Sequence, residues 1–149
     1  VTNDIERLGD YAVLIAKETN YMYKNDVQFL DQTKDELSRI YDLVSEMFDL
    51  GFESFTKDKT ENFKAIAKLH KKIKKLISST RNEHVSRLSS GMYPVEVSKS
   101  IYSVLFSLQR TSDHIVNVAY SIRSTTGSKT EALEAVEREK RRASMSERR

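Results

Sequence analysis

The sequence predicts an all-α fold, an antiparallel three-helix bundle preceded by one further helix. Three observations carry this. Only four glycines and one proline punctuate 149 residues, too few turn-formers for a sheet protein of this length. Apolar residues recur every three to four positions over long stretches, which is the helical period. The breaks between those stretches are short, so helices adjacent in sequence pack antiparallel in an up-and-down bundle.

The first segment, Asp4 to about Lys24, places Ile5, Leu8, Ala12, Ile15 and Ala16 at helical spacing and ends at the break Asn25-Asp26. Thr33 followed by Glu36 has the form of a capping box and opens a second helix. Along it Leu37, Ile40, Tyr41, Val44, Met47, Phe48, Phe52 and Phe55 make a broad apolar stripe. Gly51 falls on that stripe and reads as a point of close packing, because a helical glycine otherwise costs about 1 kcal/mol. Asp58 with Glu61 repeats the capping pattern, and a third helix runs through Phe63, Ile66, Leu69, Ile73, Leu76, Ile77, Val85 and Leu88. Gly91 supplies a C-terminal stop and Pro94 suits the first turn of the next helix. That fourth helix carries Val97, Ile101, Val104, Leu105, Leu108, Ile115, Val118 and Ile122. Ser124-Thr125-Thr126-Gly127-Ser128 reads as a linker, and Ser128 with Glu131 as the start of a short charged helix through Ala143. Leu133 and Val136 are its only sizeable apolar residues, so it is expected to stay mobile or to dock on a partner.

Composition narrows the function. The absence of cysteine excludes disulfides and thiolate metal sites and fits an intracellular setting. No apolar run approaches the roughly 18–20 residues of a membrane span, and no signal-peptide pattern opens the chain, so direct membrane insertion is not expected. The chain begins at Val1 already in helical pattern, without an initiating Met, as a segment of something longer would. Its net charge of +3 is unevenly placed: residues 26–57 carry −5 and residues 58–87 carry +6. Antiparallel helices whose flanks attract each other explain that polarity better than a nucleic-acid footprint. The lysine run Lys68, Lys71, Lys72, Lys74 and Lys75 lacks interleaved aromatics, and nucleic acid is not an expected partner. No Cys nucleophile, Gly-rich phosphate loop or Glu-x-x-His is present, and no His has an evident nucleophile and acid at hand, so an enzyme is not expected.

An internal echo is the most informative pattern. Ile5-Glu6-Arg7-Leu8-Gly9-Asp10-Tyr11-Ala12-Val13-Leu14-Ile15-Ala16 aligns without gaps to Leu108-Gln109-Arg110-Thr111-Ser112-Asp113-His114-Ile115-Val116-Asn117-Val118-Ala119. The identities Arg7/Arg110, Asp10/Asp113, Val13/Val116 and Ala16/Ala119 lie three apart and trace one slanting helix face. An offset of 103 residues fits a tandem duplication of a bundle, being too long for a solenoid repeat.

At these residues the chain resembles the PhoU family, which is built of tandem three-helix bundles whose last helix carries Glu-Arg-x-x-Asp. Glu6-Arg7-Leu8-Gly9-Asp10 is a full match, and Gln109-Arg110-Thr111-Ser112-Asp113 departs only at its first position. The stretch Glu83-His84-Val85-Ser86-Arg87-Leu88-Ser89-Ser90-Gly91, running into Pro94 and Tyr102, is similar to the variant fused to the C-terminus of bacterial Na⁺/phosphate cotransporter-like proteins. The resemblance implies that residues 1–25 are the last helix of a truncated first repeat. Residues 26–124 would be a complete second repeat, with helices near 31–57, 58–90 and 93–123, and residues 125–149 a charged tail. It implies a cytoplasmic regulatory domain of phosphate uptake, tethered to the inner membrane in the full-length protein and acting on the transporter by helix-to-helix contact. The alternatives are a free-standing metal-binding regulator of phosphate signalling and a structural helical module that forms a homodimer.

The resemblance also implies metal-binding carboxylates, with iron or zinc. Glu6 and Asp10 share a face as such ligands must, yet their partner helices are not in this chain. In the second repeat Gln109 replaces the acid, and His70 and Lys74 stand where acids are expected. His70, Gln109, Asp113 and His114 remain a candidate set for one ion such as Zn²⁺. A Lys74–Asp113 ion pair in a polar patch is the favoured alternative, and no cofactor is expected. Arg7, Arg110 and Asn117 are read as packing or partner-contact residues. His84 is read as a capping or surface group.

Overall fold

Helix formation follows the predicted periods, and the stops are local. The computed structural model describes the backbone of residues 2–57 and 59–146, and side chains of residues 2–57, 59–119 and 121. It contains α1 (Thr2–Lys24), α2 (Asp31–Lys57), α3 (Phe63–Ser89) and α4 (Val95–Ser146), with a 3-10 turn at Thr60–Asn62 leading into α3. No strand occurs among the described residues. Asp26 takes a positive φ of 49° where α1 ends. At the end of α3, Gly91 has φ 74°, its N–H donates to Leu88 O and the Met92 N–H donates to Arg87 O. This paired closure satisfies the last carbonyls of α3 and requires a residue at ease in the left-handed region, so Gly91 is the stop that the sequence predicts.

Helices α2, α3 and α4 form the bundle, with α3 antiparallel to its two neighbours. Ile40, Val44 and Met47 from α2 meet Ile66, Ile73 and Ile77 from α3 and Ile101, Leu105, Leu108 and Ile115 from α4 in one core. Gly51 lies buried where α2 approaches α4, and a Cβ there would stand 2.9 Å from Ile115 Cγ2. The close-packing role expected of it holds. α1 runs antiparallel along α4, with no comparable contact on α2 or α3 and no fully buried residue. Leu8 and Ile15 press it to the core.

Several local expectations are corrected. The apolar stripe of α2 is not all core: Tyr41 and Phe52 are 60% and 61% exposed, and Phe48 and Phe55 nearly half so. Thr33 and Glu36 do not form a capping box, because α2 already starts at Asp31 and the carbonyl of Leu30 receives the N–H groups of Thr33 and Lys34. Their side chains are drawn to another helix instead. The expected cap at Asp58 lies outside the described residues. α4 continues through residues 124–128, where a linker was expected. One glycine costs a helix about 1 kcal/mol and Ser or Thr less, and without a proline that is too little to end it. The contacts of Leu133 and Val136 lie outside the described side chains. The lysines at 68, 71, 72, 74 and 75 are exposed and form no ion pair with the acids of α2 among the described residues. The ion pair from α3 to α2 is Arg87 with Glu36, and Lys59 of the connection between these helices pairs with Glu53.

Candidate functional site

Three features are candidates: the echo residues on α1 and α4, a buried polar cluster at one end of the bundle, and an apolar groove between α1 and α2. The echo is visible in three dimensions. Arg7 lies 3.5 Å from Asp10 on α1, and Arg110 lies 3.7 Å from Asp113 on α4, the same i,i+3 pairing in both copies. The copies differ in what covers them. Asp113 is approached by His70 Nε2 of α3 at 2.8 Å, whereas Asp10 is exposed.

The six candidate metal ligands are dispersed among separate contacts. His70 is held by Asp113, so the acid has a histidine partner in place of the expected Lys74. Gln109 accepts from Arg81 Nη2 at 3.0 Å. His114, one position after Asp113, turns to α1, where its Nδ1 is 3.0 Å from Asp4 Oδ1 and its ring stacks on Tyr11. Asn117 Nδ2 donates to the same Asp4 oxygen at 3.2 Å, and the His114 contact holds the Asp4 carboxyl below its ordinary range. Glu6 is exposed on α1. Among the described residues no three His, Asp or Glu groups gather as a metal centre would need, so this donor set does not fit a shared ion. Asp4 and Asn117 instead act as polar clasps between α1 and α4, and Ser100 Oγ donating to Glu18 Oε1 at 2.6 Å is another.

The polar cluster lies where the α1–α2 connection, the start of α2, the end of α3 and the α3–α4 turn converge. Arg87, on the inner face of α3 and only 6% exposed, forks onto both carboxylate oxygens of Glu36, with Nη1 to Oε2 at 3.0 Å. The same Nη1 donates to Thr33 Oγ1 at 3.0 Å. Tyr93 OH donates to Thr33 Oγ1 at 2.6 Å and accepts the Leu30 N–H at 2.9 Å. His84, one turn before Arg87, is fully buried, with Nε2 2.9 Å from Ser98 Oγ and ring centroids 5.3 Å from Tyr93 and Tyr102. It is therefore a core group, contrary to the surface or capping role expected from its place near a helix end. Burial, with the neighbouring Arg87 charge, pushes its pKa down and keeps the ring neutral. Among the described residues His84 Nδ1 is buried without a hydrogen-bond partner, whereas Arg87 is held by Glu36 and Thr33 and through them locks α3 to α2. Sequence reasoning missed Arg87 and the role of Thr33. The signal available was a cation at helical spacing on the apolar face of α3, three positions from His84 and ten from Ile77.

The groove is the third feature. Because α1 and α2 both rest on α4 without closing on each other, a cleft of about 210 Å³ remains at one end. Ile5 and Leu8 form one wall, Phe48, Phe52 and Phe55 the other, and Gly51, Ile115 and Val118 the floor. It continues along the same seam past Ala12, Ile15, Tyr41 and Asp49. Among the described residues only Ser45, Asp49 and Thr111 add polar side chains to an otherwise largely apolar lining, so its chemistry is that of contact. None of the α-helices is long and apolar enough to cross a membrane among the described residues.

Comparison with known proteins agrees with the architecture. No curated protein and no solved structure matches the chain significantly. The family model described as the PhoU domain matches residues 37–122, which spans most of α2, all of α3 and the bundle part of α4. With more than half of its length covered by that match, the chain belongs to the PhoU domain family.

Proposed function

We propose that this chain is a regulatory domain of phosphate homeostasis that works by protein contact, and that its target is a Na⁺/phosphate cotransporter to which it is tethered on the cytoplasmic side. The PhoU domain is a regulatory, non-enzymatic family linked to phosphate homeostasis, which supplies the coarse role. The observation that carries the reading further is the outward aromatic surface of α2. Tyr41, Phe48, Phe52 and Phe55 fall on one side of a helix whose other side is core, and they are exposed together. Contiguous exposed apolar surface of this kind marks a contact site. The resemblance of residues 83–102 to the cotransporter-fused variant supports the choice of target.

Radiolabelled phosphate uptake by the full-length protein in cells tests this, with Phe48→Glu/Phe52→Glu placed on the exposed ridge. The expected result is an altered uptake rate or an altered response to external phosphate, at unchanged protein level. Uptake and its phosphate response indistinguishable from wild type would refute the regulatory reading.

A further inference from the structure

We infer that the outer face of α3, with the adjoining side of α4, is the surface by which this domain lies against anionic phospholipid. The proposal takes from the tethered reading above only the nearness of a membrane, and adds which side of the bundle faces it. Six lysines, Lys64, Lys68, Lys71, Lys72, Lys74 and Lys75, are exposed, and no Asp or Glu occurs between Phe63 and Asn82. Lys64, Lys68, Lys71 and Lys75 follow at spacings of four, three and four. They make a row about 17 Å long at 1.5 Å per residue, opposite the buried Ile66, Ile73 and Ile77. None of the six forms an ion pair among the described residues. Like charges three and four apart destabilise a helix, and no acid among the described residues relieves this row. It is a footprint for an external anion.

The neighbouring helix shows what kind of anion. Tyr102, Phe106, Gln109 and Asp113 form one ridge of α4 that borders α3. Tyr102 meets the ring of His84, Gln109 accepts from Arg81 and Asp113 pairs with His70. Within that ridge Tyr102 and Phe106 keep their rings exposed, and the Arg110 guanidinium lies 5.5 Å from the centre of the Phe106 ring. Asp113, the acid of the ridge, is already held by His70 and Arg110. Cations on long aliphatic stems beside exposed aromatics suit the headgroup level of a bilayer, where the charges meet lipid phosphates and the rings meet the interface. The lysine row is convex, so no single small anion reaches all of it. From Lys64 to Lys75 it carries no Arg, Phe or Tyr, and so lacks the forks and stacking platforms of nucleic-acid readers.

This face stays bare in a tandem bundle. Ile5, Gly9, Ala12 and Ala16 of α1 echo the Leu108, Ser112, Ile115 and Ala119 face that α4 buries in its own bundle, so the helices of another repeat would pack there. α4 meets α1 through Ser100, His114 and Asn117, and α3 through Ser98, Gln109 and Asp113, so it stands between them. The exposed acids Asp42, Glu46 and Asp49 set the orientation, because an anionic plane repels them and turns α2 away from the lipid.

The test is flotation of the purified chain with vesicles of phosphatidylcholine alone or with about 30% phosphatidylglycerol. Binding to the anionic vesicles is expected to be at least about tenfold stronger, and to weaken at least about tenfold between about 0.1 and 0.5 M NaCl as the screening length shortens. Each lysine near such a surface is worth about fivefold, so Lys68→Glu/Lys71→Glu/Lys75→Glu should abolish binding. Lys17→Glu/Lys34→Glu/Arg39→Glu makes the same change in net charge on α1 and α2, and should weaken binding less than about threefold. Phe106→Ser should weaken it about threefold through lost apolar contact. Circular dichroism melting checks that these surface variants remain folded. Equal flotation with the two vesicles, equal loss in the two charge-matched variants, or Phe106→Ser without effect would overturn the proposal. So would a labelled duplex oligonucleotide bound more tightly than the anionic vesicles, which would make nucleic acid the occupant. Self-association in sedimentation that the α3 variant abolishes would overturn it too, since the acidic α2 of a second copy would then fill the face. Anionic-vesicle binding lost only in the α3 variant, with phosphate uptake unaffected by Phe48→Glu/Phe52→Glu, would leave the face assigned and refute the phosphate-regulatory reading alone.

Discussion

Replacing Arg87 with methionine probes how much of the bundle depends on one buried ion pair. Arg87 is 6% exposed and its partner Glu36 16%, so both charges have given up most of their water. Arg87→Met keeps the aliphatic stem in the core but leaves the Glu36 carboxylate without its fork and removes a donor to Thr33 Oγ1. Breaking a buried pair from one side costs about 3–5 kcal/mol, because the surviving charge stays behind uncompensated. The residual exposure of Glu36 allows some rehydration, which places the loss near the lower end, at about 3 kcal/mol. For a chain of this size that corresponds to a fall in Tm of about 6–12 °C. The double variant Arg87→Met/Glu36→Leu removes both charges and should recover most of the loss, since apolar replacement of a buried pair is often neutral. Urea unfolding of wild type, the two single variants and the double closes the cycle, with unchanged m-values confirming that stability alone has moved. A loss under about 1 kcal/mol for Arg87→Met, the level of an exposed pair, would refute the reasoning. Strict additivity of the two single effects would refute it equally.

Two further perturbations follow from neighbouring features. His84 is held neutral, so the unfolded chain binds a proton near the ordinary pKa of about 6.5 that the folded chain refuses. Its contribution to stability is therefore complete above that pH and is lost as pH falls toward the depressed folded pKa, with a slope of at most about 1.4 kcal/mol per pH unit. His84→Gln should flatten the Tm-versus-pH curve between about pH 7.5 and 5.5, at some cost in stability at neutral pH, and an unflattened curve would count against the assignment. Gly51→Ala gains about 1 kcal/mol of helix propensity but sets a methyl 2.9 Å from Ile115 Cγ2, an overpacking worth about 1–3 kcal/mol. Net destabilisation of up to about 2 kcal/mol is expected by thermal melting, and Ile115→Ala in the same chain should make the added methyl harmless. Gly51→Ala that stabilises the wild-type background would show that the contact relaxes freely.

The helices, their order and the stop at Gly91 were legible because each follows from local chemistry, namely period, turn residues and left-handed backbone. The echo was legible for the same reason, and its two Arg–Asp pairs prove to share one geometry. What escaped was set by distance along the chain. The stripe on α2 has a width that periodicity can state, but which part of it meets another helix depends on where α1 and α4 lie. That is why Ile40, Val44 and Met47 are buried while Tyr41, Phe48 and Phe52 face outward. Thr33 and Glu36 looked like a local cap until Arg87, more than 50 residues away, claimed both. His84 near a helix end resembles a surface residue until Tyr93, Ser98 and Tyr102 enclose it. Of the ligand set read from the family motif, His70 and Asp113 meet while His114 turns away, because adjacent positions on α4 point to different helices. Asp113 turns to α3 and His114 to α1.

The Arg87 cluster has a consequence for register. Apolar stripes on long helices are nearly self-similar, and sliding one helix past another by a turn, about 5.4 Å, brings leucines and isoleucines back into holes much like those they left. Arg87, Glu36, Thr33 and Tyr93 have no such second solution: after a one-turn slip the fork faces an aliphatic neighbour and a carboxylate is stranded in the core. The cluster works as an index mark, telling α2, α3 and the turn into α4 their axial position to within the length of a hydrogen bond.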